Sequence, residues 1–325
     1  NVINTLYADR QGNLWIGTNN GVNKIQLCNN EFLYNQINER AASLRPGVEV
    51  NSFDEDSKGN IWFATNQGLI KYDNVLNEYI DFSPPQILHV RVNDIFVDKN
   101  DDVWLATSGG LNKYSSTYNS FKSYTVKANK SHYLTSNYIS SVAKDNDGNV
   151  WVATSDKGLF KMVEHNGEPS FHLYRQNKNN LYPKDLIVDK QGYMWAVNYK
   201  SINKLNTNTG YFETVFFKKK KENILIYDAF FDTHFWVATN KGLFKWNDKS
   251  NSFEFITDVD FSIKGLIAHN ENLWLTSNTS LYRYNLKESS LNKIPKYKTP
   301  INDFKNKGFI TSSNNILFSS YSGYL

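Results

Sequence analysis

One residue returns along this chain at a nearly fixed interval and constrains every possible fold. A tryptophan stands at Trp15, Trp62, Trp104, Trp151, Trp195, Trp236 and Trp274, in steps of 47, 42, 47, 44, 41 and 38 residues. Self-similarity at a period of about 40–50 residues is the mark of a repeat architecture, in which each unit buries its apolar surface against the next.

The surroundings of each Trp repeat as well. An Asp-x-x-Gly element precedes it at Asp9 to Gly12, Asp56 to Gly59, Asp145 to Gly148 and Asp189 to Gly192. An Asp that bonds backbone two residues on, followed by a Gly that tolerates positive φ, is the chemistry of a hairpin turn. The Trp then centres an apolar run such as Ile61-Trp62-Phe63 or Val150-Trp151-Val152. A second turn reads Thr-x-x-Gly, at Thr18 to Gly21, Thr65 to Gly68 and Thr239 to Gly242. A third strand reads Leu-x-Lys-aromatic, as at Leu69 to Tyr72 and Leu111 to Tyr114, and a fourth starts near Phe32, Tyr79, Phe121 or Phe253. Four antiparallel strands, A to D, in about 40–45 residues make one blade of a β-propeller. The strands are apolar at successive positions, as in sheets covered on both faces, and no segment has the periodicity of a long amphipathic helix.

The expected fold is therefore an all-β propeller of four-stranded blades. The repeats fall at about 1–47, 48–90, 91–136, 137–181, 182–222, 223–262 and 263–299, with a partial one at 300–325 in which Leu317 stands in the Trp place. This predicts seven blades plus a partial eighth in a single domain spanning 1–325. The first repeat lacks an outer strand before it and the last lacks strands C and D. The chain thus reads as a fragment of something larger, because propellers close by pairing strands from both ends.

Composition narrows the chemistry. Aromatics make up 15% of the chain, which suits packing between blades. Mean hydropathy is −0.55, and no apolar run approaches the ~20 residues a membrane span needs. Cys28 is the sole cysteine, which excludes an internal disulfide and a cysteine-based zinc cluster. His89, His132, His165, His172, His234 and His269 show no metal-ligand spacing, and neither a nucleophile elbow nor a P-loop is present. Acid pairs such as Glu55–Asp56 and Asp101–Asp102 fall in hairpin turns. No catalytic residue, metal or cofactor is expected, and no nucleic-acid partner or membrane contact by this segment.

The pattern from Asp9 to Lys24, Asp-x-x-Gly-x-Leu-Trp-Ile-Gly-Thr-x-x-Gly-Val-x-Lys, resembles the two-component regulator propeller repeat. The resemblance extends over nearly the whole chain. It implies the periplasmic or otherwise extracytoplasmic sensor region of a bacterial hybrid histidine kinase, a homodimeric arrangement as one option, and an oligosaccharide ligand. It also implies a membrane-linked kinase elsewhere in the full protein, to which the signal passes. A propeller enzyme, lyase or glycosidase, and a pure interaction scaffold remain the alternatives.

Candidate residues follow from position. The seven Trp residues are expected to pack between blades and not to serve as sugar platforms. Lys24, Lys71, Lys113, Lys161, Lys204, Lys245 and Arg283 share one place on strand C and are expected to lay their stems on apolar surface with their heads in water. Binding residues concentrate on variable loops of a rigid scaffold. The connectors from strand D to the next strand A carry Arg40, Arg45, His89, Arg91, His132, Tyr133, Arg175 and Tyr182. Small polar residues, Asn4, Asn51, Asn93 and Ser140, stand where strand A begins. These are expected to present hydrogen-bonding groups at the top of the channel, with backbone satisfaction at the connector–strand junction as the competing role.

Overall fold

The computed structural model describes residues 3–8, 13–18, 21–26, 48–127, 133–165, 168–176, 179–180, 182–207, 209–217, 223–295, 303–321 and 324. Every described element is a strand. Six four-stranded antiparallel blades run in chain order, with inner strands Val50–Glu55, Val92–Val97, Ile139–Lys144, Asp185–Val188, Ile226–Phe231 and Gly265–His269. Each inner strand lies beside that of the next blade. The blade-forming strands centred on Trp62, Trp104, Trp151 and Trp236 are buried at every position, as their unbroken apolar runs require.

The number of blades differs from the sequence expectation. Among the described residues there are six complete four-stranded blades, not seven plus a partial eighth. The final strands, Phe304–Ile310 and Ile316–Ser320, form a two-stranded sheet wedged between blade 6 and blade 1. Phe309, Leu317 and Tyr324 pack with Phe53 and Phe63 of blade 1, and the Tyr324 hydroxyl lies 2.8 Å from that of Tyr79. The first repeat contributes a separate three-stranded sheet, Ile3–Ala8, Asn13–Thr18 and Gly21–Gln26, which pairs with no other described strand. Its sequence pattern matches the other repeats because the pattern is internal to a blade. Which blade closes the ring depends on contacts between distant repeats, and the pattern does not encode them.

The repeat motif is a bonded unit. Asp56 accepts from the backbone of Lys58 and Asn60 and, 3.0 Å away, from the indole Nε1 of Trp62. Asp145 and Trp151, and Asp189 and Trp195, repeat the indole bond at 2.8 Å. Across the strand pair, Lys71, Lys113, Lys161, Lys204 and Lys245 hold their ammonium groups 5.0–5.7 Å from the ring centres of Trp62, Trp104, Trp151, Trp195 and Trp236. The recurring Lys thus serves its own blade's Trp by a cation–π contact. Thr65 donates to the carbonyl of Gly68 and accepts from the Gln67 amide, closing the second turn. Gly68 has φ +132°, and a Cβ there would lie 2.5 Å from the Phe82 carbonyl oxygen of strand D, so only glycine fits. Where Asp101 replaces a turn glycine it takes φ +60°, and its carboxylate accepts from the amide and hydroxyl of Ser57 in the neighbouring blade.

Packing of the Trp side chains agrees with a structural role. Trp62 lies against Tyr114, Trp104 joins a core with Val142 and Phe160, and Trp195 stacks on Phe235, in each case across to the following blade. Trp274 is half-buried beside Phe304 and Phe318 of the last sheet. For Trp15 only the backbone is described, paired with Lys24.

Candidate functional site at the channel mouth

The start of strand A pairs with the end of strand B, as in Val50 with Thr65, so connectors and Thr-x-x-Gly turns share one face. A β-bulge sits at that start in blades 1, 2, 3 and 5 and in the last sheet. Bulges re-aim side chains, and here two successive residues turn toward the axis and the neighbouring blade.

The first of these positions forms a collar. Asn51 donates to the carbonyl of Val92 at 2.7 Å, Asn93 to that of Ile139 at 2.7 Å, and Ser140 to that of Pro183 at 2.6 Å. Each joins its blade to the next, so the amide donors of the two Asn residues are already committed to backbone. The following collar positions are Lys184, Tyr227, Lys264 and Lys305. Lys184 bonds the Tyr227 carbonyl, and Lys305 bonds Glu49 at 3.1 Å and Asn51 at 2.7 Å. Burial holds both lysines below the ordinary range.

The second position forms an acidic layer beneath the collar: Ser52, Asp94, Ser141, Asp185 and Asp228. Asp94 accepts from the Ser141 hydroxyl at 2.6 Å and the Val142 amide at 3.2 Å, and Asp228 from the Leu266 amide at 2.9 Å. Lys307, in the wide bulge of the last sheet, crosses the channel to form an ion pair with Asp185 of blade 4. The carboxylates of Asp185, Asp228 and Asp94 around it outweigh its burial and raise its pKa. Burial pushes Asp228 up to about 7 and Asp94 upward, the latter reinforced by Asp185. The channel is therefore bridged below its mouth.

The structure gathers some of the expected residues there and disperses others. His89 accepts from the Arg91 amide at 2.9 Å, and Arg91 Nε donates to Asn93 at 3.2 Å, placing all three at the mouth between blades 2 and 3. Tyr182 is exposed beside Pro183, the partner of Ser140. Tyr133 instead lines a peripheral cavity of about 240 Å³ with Lys122, Lys127 and Phe171, under the outer strands of blades 2 and 3. Arg175 lies on the outer strand of blade 3, paired with Asn180, and not on a free connector. Asn4 belongs to the separate first sheet, and Arg40, Arg45 and His132 lie outside the described residues.

Four mouth residues had escaped the sequence reading: Lys184, Tyr227, Lys264 and Lys305. Their signal is positional: they stand at or just before the start of strand A, where the earlier repeats carry Asn or Ser. Among the described residues no group of His, Cys, Asp or Glu is placed to hold a metal.

Residues 1–20, 44–67 and 133–156 match the two component regulator propeller family. An 82-residue stretch, 22% of the chain, is 34% identical to Histidine kinase P4 of Formosa agariphila, of which it covers 6%. The fold matches the extracellular domain of the hybrid two component system BT4673 from B. thetaiotaomicron with TM-score 0.76 and 20% identity, over 100% of this chain and 46% of that one. For the corresponding domain of BT3049 the TM-score is 0.69 at 21% identity, over 88% and 40%. The chain thus spans less than half the length of these relatives. Virginiamycin B lyase from Staphylococcus aureus shares the fold at 11% identity, TM-score 0.69, over 90% of this chain and 97% of the lyase.

Proposed function

We propose that this propeller is a non-catalytic, extracytoplasmic ligand-sensing module of a hybrid two-component system. In this reading it takes an oligosaccharide at the channel mouth and passes its bound state to a membrane-linked kinase. The observation that carries the reading is the collar itself: a concave ring of Asn, Lys and Tyr side chains above a bridged channel. A few convergent polar groups in a concavity are what a small-molecule site needs. The exposed rings of Tyr138, Tyr182, Tyr199 and Tyr321 stand on the same face. The family and the similarity to extracellular domains of hybrid two component systems support the sensor role and the location.

The lyase-like fold similarity does not shift this reading toward catalysis. Asp94, Asp185 and Asp228 are spent on backbone amides, Ser141 and Lys307, so these three do not form a free carboxylate pair facing the mouth. The test is calorimetric titration of the 325-residue chain with an oligosaccharide library, using Arg91→Ala and Tyr199→Ala. Both residues are exposed at the mouth, so an affinity loss of about tenfold or more with an unchanged melting temperature is expected. Unchanged affinity in both variants would move the site elsewhere.

A further inference from the structure

The collar is chemically lopsided. Blades 1 to 3 present Asn51, Asn93 and Ser140, all neutral. From blade 4 to the last sheet the same position presents Lys184, Tyr227, Lys264 and Lys305. Each of these lysines is coupled to a tyrosine ring. Lys184 Nζ lies 5.3 Å from the centre of Tyr199, Lys264 Nζ 3.4 Å from Tyr227, and Lys305 Nζ 5.0 Å from Tyr321. Tyr199 and Tyr321 are 63% and 53% exposed, so their rings are open to a ligand.

The charges are not balanced locally. Lys305 has Glu49. Among the described residues no carboxylate lies within 4.0 Å of the ammonium groups of Lys184 or Lys264. Lys184 is nevertheless buried enough that desolvation lowers its pKa. Its nearest groups are a carbonyl and a ring, while Asp228 and Asp185 act on it from the layer below, so an incoming anion would give it a direct ion-pair partner. The lower-layer carboxylates Asp228 and Asp185 offset part of its burial cost from a distance, and they are shared with Lys307 and backbone amides.

Resting on the oligosaccharide reading above, we propose that the ligand is an acidic saccharide. Its carboxylate or sulfate groups pair with Lys184 and Lys264, and its sugar faces lie on Tyr199 and Tyr321. The neighbouring hollow between blades 5 and 6 carries Asp258 and Asp260, which confines the anionic groups to the axial collar. Carboxylate and sulfate share the chemistry of lysine pairing, so both sources belong in the test.

The experiment titrates the 325-residue chain with three probes: an oligogalacturonide, a chondroitin sulfate oligosaccharide, and the carboxyl-reduced, neutral form of the oligogalacturonide. The expected result is binding of at least one acidic probe, weakened when salt rises from 50 to 300 mM, and no measurable binding of the neutral probe. Lys264→Gln should lower acidic-probe affinity about tenfold while the melting temperature holds. Lys184→Met repeats the measurement at the buried lysine, with melting to separate folding from binding. Preference for the oligogalacturonide over the sulfated probe assigns carboxylate, and the reverse assigns sulfate. Equal binding of neutral and acidic probes, or a Lys264→Gln variant that binds like the parent, overturns the acidic assignment while leaving the mouth site intact. Failure of both acidic probes to bind also overturns it. Acidic-probe binding that survives Arg91→Ala and Tyr199→Ala without loss refutes the mouth site itself.

Discussion

The Asp–Trp bond inside each blade can be tested against an internal control that the molecule provides. Trp195 and Trp236 occupy the same repeat position, are 1% and 2% exposed, and each carries a lysine about 5 Å from its ring. They differ at the indole nitrogen. Trp195 donates to Asp189 at 2.8 Å. Trp236 Nε1 has no partner among the described residues, because the shortened turn of blade 5 puts Asp232 four residues before the Trp and spends its carboxylate on the His234 amide. Replacing either Trp by Phe removes part of a buried ring, a packing loss of about 1–2 kcal/mol. At Trp195 the replacement also removes a hydrogen bond to a carboxylate, worth about 1.5–3 kcal/mol. At Trp236 it removes a buried, unsatisfied N–H whose desolvation cost is about 1–3 kcal/mol, so that term favours the variant. Trp195→Phe should therefore lose about 2.5–6 kcal/mol more than Trp236→Phe in urea unfolding monitored at equal m-value. Equal losses would mean that the indole bond contributes nothing and that the Asp is retained only for its turn.

Gly68→Ala should destabilise by about 3 kcal/mol or more, since the added Cβ meets a backbone carbonyl at 2.5 Å where φ is +132°, and a loss under 1 kcal/mol in thermal melts would show that strand D yields freely. Lys307→Met should cost about 3–5 kcal/mol by leaving Asp185 uncompensated beside Asp94 and Asp228, and the double variant with Asp185→Asn should recover most of it. Burial holds Asp54 and Asp228 up to about 7 in the folded chain against 3.8 in the unfolded one. Between about pH 4 and 7 the folded state then keeps protons that the unfolded state has lost, so these two groups make stability fall as pH rises through that window. Asp228→Asn should flatten the slope, and stability that instead rises across the window on their account would contradict the burial assigned to them.

What the sequence disclosed and what it withheld divide along the range of the interactions. Asp56, Trp62, Thr65, Gly68 and Lys71 lie within sixteen positions of one another and bond within one blade, so their spacing alone implied turns, strands and a blade. The ring closes through Phe53 and Phe63 meeting Phe309, Leu317 and Tyr324, some 250 positions away. Nothing local distinguishes the first repeat, whose described strands pair with no other described strand, from the second, which meets the last sheet. The same limit produced the expectation that Arg175 lies on a free connector. Connector length implied free loops, but the outer strand of blade 3 runs on to Gln176 and turns back in a short hairpin at Asn179–Asn180.

The channel mouth shows how a repeat fold acquires a specific site without changing its frame. The collar position lies at the start of each inner strand, marked by a bulge in blades 1, 2, 3 and 5 and in the last sheet, and its structural task is to join neighbouring blades. Asn51, Asn93 and Ser140 perform that task with short side chains that end at the next blade's carbonyl. Lys184 reaches the next blade in the same way, through the Tyr227 carbonyl, but brings a charge that the junction does not need. A neutral donor would stitch the blades at lower desolvation cost. The charge at Lys184, repeated at Lys264 and set against tyrosine rings, draws on Asp228 and Asp185 below it but has no carboxylate within 4.0 Å among the described residues, and the acidic-saccharide proposal supplies that direct partner.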